Sequence, residues 1–309
     1  MKKAGSRFGC ALIIPAVVVI LLVYLVPLAQ IVYLSFLDLR LETMLQYLGA
    51  PFIGFENYAW ILEGLFRADS RLFTSLTQAT ANTFWYTFWV ELGTIGFGLV
   101  IALVLARRAR WRGPALSILL VPWVVPSAAT GMLWGLIWRQ QGGLANEVLV
   151  SWLHVTDQPV SWLILENART ALILPSIWHW LPFTTVILLV ALRFIPAEIY
   201  EAASIDGANG WQKFRYLTWP HLTPVVIALS LFGIIYNFFG LNGYNIGYML
   251  FSNDNFGRYA DLFVPMLVRQ TFVNNLYGAG SALSVLIILA ALALLVVCYR
   301  LYRVFSERI

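Results

Sequence analysis

The sequence predicts an all-α integral membrane protein with six transmembrane helices and a polar helical loop between the fourth and the fifth. Three observations predict it. Hydrophobic residues make up 60% of the 309 and charged residues 11%, with a mean hydropathy of +0.77, where ordinary soluble domains carry about 25% charged residues. Six apolar stretches of about 20 residues or more follow one another, each enough to cross roughly 30 Å of hydrocarbon at 1.5 Å per helical residue. The cations are also sorted: the four segments on one side of such a topology, with Arg193 at the end of the fourth span counted among them, hold 13 of the 20 Lys and Arg with four acids, and the three on the other hold seven with ten acids. The Lys/Arg bias marks the cytoplasmic side, so both termini are expected inside. The net charge of +5 then reflects this sorting and gives no reason to expect a nucleic-acid partner.

In chain order, Lys2, Lys3 and Arg7 belong to an inner segment. The first span covers 10–37 and is retained, being too long for a signal peptide and lacking a small-x-small cleavage site; Pro15 and Pro27 are expected to bend it. The outer loop 38–81 contains Phe52-Ile53-Gly54-Phe55-Glu56-Asn57-Tyr58, a turn packed by aromatics. The second span, 82–106, ends at a tight inner turn with Arg107, Arg108, Arg110 and Arg112. The third, 114–138, holds Pro122-Trp123-Val124-Val125-Pro126 and is expected to kink there, because proline frees backbone groups that neighbouring helices must satisfy. An outer loop, 139–169, carries Gly143-Leu144-Ala145-Asn146. The fourth span is 170–193 and the fifth 223–241, with 242–277 aqueous or re-entrant after it. The sixth, 278–298, is followed by Arg300, Arg303 and Arg308. Cys10 and Cys298 both fall near the cytoplasmic face, where a disulfide is not expected. No repeat or linker divides the chain, which reads as one membrane domain, 1–309.

The loop 194–220, FIPAEIYEAASIDGANGWQKFRYLTWP, carries its own helical signals. Pro196 suits a first helical position, and Glu198 and Glu201 suit the first turns, near the positive end of the helix dipole. Ala203, Gly207 and Gly210 form a smooth stripe if the helix is continuous. Alternatively Asp206-Gly207 breaks it and Asp206 caps a second helix. Glu201, Ala202, Ala203, a Gly six positions after the Glu, and Pro220 together resemble the EAA loop of ATP-binding-cassette importer permeases, with Leu217 and Trp219 standing where Ile and Leu are usual. Further stretches are similar to sugar permeases of that family: the FxGxxNY run at 52–58, PWxxP at 122–126, GLxN at 143–146, Trp178 with Pro182-Phe183, Ala260 to Phe263, and Gly278 to Ser284. Phe251 to Arg258 departs from the Gly-Gly-Pro turn of those relatives.

The resemblance implies a permease subunit of an ATP-driven importer for a sugar, oligosaccharide or polyol. Its coupling residues would be Glu201, Ala202, Ala203, Ser204, Asp206 and Gly207. Its partners would be a second permease, as a rule a different chain, two cytoplasmic ATPase subunits that bind ATP and Mg, and an extracytoplasmic solute-binding protein. The residues agree on what this chain lacks: it has no GxxxxGK[ST] loop to cradle ATP, no CxxC, no GxSxG, and no metal-ligand spacing among His154, His179 and His221. No cofactor is expected in the chain itself. A sugar site needs aromatic faces beside amides and hydroxyls. Ser176, His179, Trp180 and Phe183 offer that mixture on one face of the fourth span, and Tyr236, Asn237, Asn242 and Tyr244 on and after the fifth. Glu91 is the one acid within a span, where an ionisable group is a functional candidate by default. It reads either as the carrier of a proton-driven secondary transporter or as a neutral group bonded to Thr87, Thr94 or another helix.

Overall fold

The computed structural model describes residues 13–43, 47, 49–66, 71–107, 111–252 and 256–306. Lys2, Lys3, Arg7, Cys10, Asp69, Arg108, Arg110 and Arg308 lie outside the described residues. Helices carry the rest: α1 Ile13–Leu34, α2 Glu56–Phe66, α3 Arg71–Arg107, α4 Arg112–Val124, α5 Ser127–Ile137, α6 at 144–152, α7 Asn167–Arg193 and α8 Ala197–Ile205. After them come α9 Gly210–Phe238, α10 Leu241–Phe251, α11 Gly257–Ala260, α12 Phe263–Val273 and α13 Tyr277–Ser306. Five of these, α1, α3, α7, α9 and α13, are long and apolar enough to cross a membrane.

The third expected span is where sequence and structure part. The structure has two helices there, α4 and α5, meeting at 97° instead of one kinked rod. Val125 and Pro126 are both extended, with ψ of 129° and 139°. Proline forces its predecessor out of the α region, and two extended residues in succession turn the chain. Pro122, by contrast, stays inside α4. Counted as one broken span, the pair brings the total to six.

The fifth span also differs from the expected 223–241. It begins at Gly210 because the polar loop runs on into it through a π-turn at Phe214–Thr218. It ends before Gly240, whose φ of +64° starts a new helix in another direction. The described residues of 242–277, expected to be aqueous or re-entrant, form short helices in place of an open loop. Among them Ile246, Leu250, Phe256, Leu262 and Met266 are buried.

The chain groups into two compact units. One contains the described residues up to Thr74 together with Leu267–Ala290. Here the 52–58 stretch ties the end of α1 to α2. Phe36 packs on Phe52, Phe55 and Tyr58 with centroids 5.3–6.1 Å apart, and Asn57 Nδ2 donates to the Ser35 and Leu37 carbonyls, each at 2.9 Å.

The second unit contains Ser75–Met266 and the described residues from Ala291 onward. Its axis is α7, with 14 of 27 residues buried. A helix apolar on most of its circumference is stable only when surrounded. Towards its N-terminus α7 packs with Tyr86, Val90, Trp138, Ile246, Leu250 and Phe256. Towards its C-terminus it packs with Ala102, Leu105, Leu222 and Leu229. α3, α7, α9 and α10 thus converge midway along α7, where the polar residues of the spans lie.

Candidate functional site

Glu91 sits in the middle of α3, and Asn237 near the end of α9 donates from Nδ2 to its Oε1 at 2.7 Å. The bond expected to Thr87 or Thr94 is not made: Thr94 Oγ1 donates to the Val90 carbonyl at 2.6 Å, and Thr87 Oγ1 is buried without a partner. The contact to another helix is the alternative the structure takes. Sequence reasoning did not see Gly233 as part of it. A Cβ there would meet the Glu91 carboxylate, which would have to shift from its present position beside α9. The available signal was Gly233 and Asn237 at i and i+4, a single face of α9.

Around this pair, Thr94, Trp180, Phe183, Thr184, Phe232 and Tyr236 line a cavity of about 20 Å³, room for about one water molecule. Trp180 and Tyr236 meet edge-to-face at 4.6 Å between centroids, and Phe183 stands against Trp180 at 5.5 Å. Trp180 Nε1 and Asn237 Oδ1 are buried without partners. Buried polar groups are ordinarily bonded, so these two stand out among the residues of the cavity. Trp180, Phe183, Tyr236 and Asn237 therefore share one cavity.

The other four sequence-chosen residues lie elsewhere. Ser176 Oγ accepts from Tyr86 OH at 2.8 Å and donates to the Leu172 carbonyl. His179 Nδ1 is 3.2 Å from Thr130 Oγ1, which ties α7 to α5 just past the Pro126 break. Asn242 is 1% exposed, and neither of its amide atoms has a well-aligned partner. Tyr244 stacks on Phe256 and meets Tyr248 at a tilt in the apolar packing.

The polar loop forms a helical hairpin. α8 closes at Gly207, with φ of +78°: Ala208 N donates to the Ala203 carbonyl at 2.8 Å and Gly207 N to the Ser204 carbonyl at 3.2 Å. These are the two bonds of a Schellman stop, whose left-handed position favours glycine. The Ala203, Gly207, Gly210 stripe is thereby broken. The cap of the next helix is Asn209, not Asp206: Asn209 Oδ1 accepts from Gln212 N at 2.9 Å and Gln212 Oε1 from Asn209 N at 2.7 Å. Pro196 stands one position before the helix, as its N-cap. Lys213 Nζ donates to Ser204 Oγ at 2.6 Å, and Tyr200 OH pairs with Thr218 Oγ1 at 2.8 Å, which pins α8 to the base of α9. Glu201, Ala202, Ser204, Asp206 and Gly207 are exposed, Ala203 half-buried. Beside them Ile205 and Trp211 are 87% and 69% exposed.

Residues 94–309 match the family described as the binding-protein-dependent transport system inner membrane component. The trehalose/maltose transport system permease protein MalF of Thermococcus litoralis is 30% identical over 98% of this chain and 96% of its own length. The sulfoquinovosyl glycerol transport system permease protein SmoG of Agrobacterium fabrum is 30% identical over 97% and 92%. Among solved structures, a chain of a bacterial alginate ABC transporter, in complex with its alginate pentasaccharide-bound periplasmic protein, superposes with a TM-score of 0.80 at 19% identity, covering 99% of this chain and 97% of that one.

Proposed function

This chain belongs to the family of binding-protein-dependent transport system inner membrane components, and on that premise we propose that it forms part of the path by which an ATP-driven importer passes a sugar, oligosaccharide or related polyol. As a permease of that family it is not itself an enzyme. Relatives carrying trehalose/maltose and sulfoquinovosyl glycerol in their names support the carbohydrate class. A proton-driven carrier centred on Glu91 would need no binding protein, and membership of this family argues against it.

In this reading the solute-binding protein delivers the ligand from outside. A second permease completes the path, two ATPase subunits bind ATP and Mg, both termini face the cytoplasm, and residues 1–309 act as one permease domain. The exposed face of the α8–α9 hairpin enters a cleft of the ATPase subunit, with Glu201 paired to a cation there. The observation that carries this is the hairpin's construction. Its outer face is exposed at Glu201, Ile205 and Trp211, while its inner face is pinned by the Lys213 and Tyr200 bonds. A push on α8 is delivered to the base of α9, the helix that carries Tyr236 and Asn237. Closure of the ATPase pair would then open the path outward, provided the hairpin is held differently in the two states.

Glu201→Lys tests the coupling. An exposed ion pair contributes about 0–1 kcal/mol, but breaking one within a closed cleft costs about 3–5 kcal/mol. The variant is expected to insert normally, lose the ATPase on detergent purification, and lose binding-protein-stimulated hydrolysis in liposomes by tenfold or more, with Glu201→Ala less affected. Retention of both by Glu201→Lys would remove the hairpin as the coupling element.

A further inference from the structure

We infer that the cavity between the C-terminal ends of α3 and α7 and the α8–α9 hairpin binds one anionic phospholipid of the inner leaflet, its phosphate held between Arg107 and Lys213. The inference rests on the reading above only in taking the hairpin as cytoplasmic, and it holds whatever solute is carried.

The cavity has a volume of about 730 Å³, within the range of about 300–1,000 Å³ typical of small-molecule sites. It lies wholly within the second compact unit. Two kinds of wall meet in it. Leu103 and Ala106 in the last turns of α3, with Leu192 and Ile195 at and just past the end of α7, make an apolar wall continuous with the spans. The hairpin supplies the other wall through Tyr200, Lys213 and Phe214. Trp211, exposed and yet part of the lining, forms the rim, with its ring 5.7 Å from that of Phe214.

The charged residues of the lining are both cations, Arg107 and Lys213, with no acid beside them. Among the described residues the ion pair formed is Arg40 with Asp38, in the first unit, so neither cation is neutralised there. Lys213 Nζ donates to one neutral hydroxyl, Ser204 Oγ, and an ammonium has three donors. The carbonyls that close α3 do not engage Arg107. Arg112 takes them, donating from Nε to the Leu105 carbonyl at 3.0 Å and from Nη2 to the Ala106 carbonyl at 2.9 Å. An occupant that satisfies both walls is anionic at one end and apolar at the other. Where a span gives way to a cytoplasmic loop, the bilayer itself supplies that molecule, and basic pockets between helices on this side recognise lipid headgroups. Guanidinium and ammonium groups both bind phosphate oxygens through charge-assisted hydrogen bonds. A soluble phosphate would meet the cations but leave the apolar wall bare.

The test is native mass spectrometry of the detergent-purified protein with its associated subunits. The probes are dioleoylphosphatidylglycerol, dioleoylphosphatidylcholine and glycerol 1-phosphate. The wild type is expected to bind its first phosphatidylglycerol at least fivefold more tightly than phosphatidylcholine. Arg107→Gln should weaken phosphatidylglycerol at least threefold and leave phosphatidylcholine unchanged, while Arg107→Lys keeps the preference. Ala106→Phe, which retains both charges and fills the cavity, should also weaken phosphatidylglycerol at least threefold. Lys213 is kept in every variant, because its bond to Ser204 also holds the hairpin. Equal binding of the two lipids by the wild type overturns the inference, as does an unchanged phosphatidylglycerol affinity in either Arg107→Gln or Ala106→Phe. Displacement of the lipid by equimolar glycerol 1-phosphate overturns it too, and makes this a site for a soluble phosphate. Co-purification of an ATPase judges the importer reading separately: with the ATPase present and no lipid preference, only the lipid site falls.

Discussion

At Asn146 one buried amide holds together the chain from Gln140 to Trp162. Its Nδ2 donates to the Gln140 and Val160 carbonyls at 3.0 and 2.9 Å, and its Oδ1 accepts from Val160 N and Trp162 Nε1 at 2.9 and 3.1 Å. Alanine would leave several of these groups unpaired, and each one buried costs about 1–3 kcal/mol. Asn146→Ala is therefore expected to lower the melting temperature of the detergent-purified protein by roughly 5 °C, which differential scanning fluorimetry reads directly; an unchanged transition would mean the turn is held by something else. Gly233 gives a second measurement at this scale. A methyl group there meets the Glu91 carboxylate, and overpacking costs about 1–3 kcal/mol. Gly233→Ala should be destabilising alone and milder when combined with Glu91→Ala, because the obstacle has gone. Strictly additive losses would show that the two positions do not touch. The two sites differ in how far the sequence discloses them. The GLxN turn at Asn146 bonds to groups 6 to 16 positions away and is marked by a local motif. Glu91 and Asn237 are 146 positions apart, and nothing local to Glu91 indicates which helix will face it.

The elements were legible where composition decides and obscure where geometry does. The hairpin at 194–220 announces its helices through Pro196, Glu198 and the apolar spacing, but the residue that caps the second one was misplaced. Asp206 is chemically a good cap, yet it is spent as the C-cap of α8, with ψ of 0°. The extended backbone that a cap needs comes only at Asn209, ψ 173°. Between them Gly207 occupies the left-handed region, where a Cβ costs about 1–2 kcal/mol. Asn tolerates that region better than other non-glycine residues. Coupled ATP hydrolysis should therefore fall in the order Gly207→Asn, Gly207→Ala, Gly207→Trp, the last adding bulk to the face proposed to dock. Equal activity of the Ala and Asn variants would mean the left-handed stop is not what the position supplies. The break at Val125-Pro126 was obscure for a related reason. Hydropathy averages over a window and registers no angle, so a right-angled pair of helices and a kinked rod have the same trace.

For the whole molecule that break decides the topology. α4 and α5, with 13 and 11 residues, reach about 20 and 16 Å at 1.5 Å per residue, so neither crosses alone. The pair either traverses the membrane together or dips in and returns to the same side. The alternatives differ in parity. If the pair crosses, the turn before α4 and the α8–α9 hairpin share one face, and the 139–166 segment lies on the other. If it returns, the turn and that segment share a face, and α7 carries the hairpin to the opposite side, away from any cytoplasmic ATPase. The Lys/Arg bias favours the first arrangement, which would bring Arg107, Arg112, Lys213 and Arg215 together inside. Single cysteines in place of Trp111, Asp157 and Asp206, all exposed, separate the two in a background with Cys10 and Cys298 changed to Ser. With an impermeant thiol reagent on intact cells, Asp157→Cys is expected to label, while Trp111→Cys and Asp206→Cys label only after permeabilisation. Labelling of Asp206→Cys from outside with silence at Asp157→Cys would make α4–α5 a re-entrant pair. The hairpin could then not meet an ATPase, and the proposed path from Glu201 through α9 to Asn237 would lose its driving end.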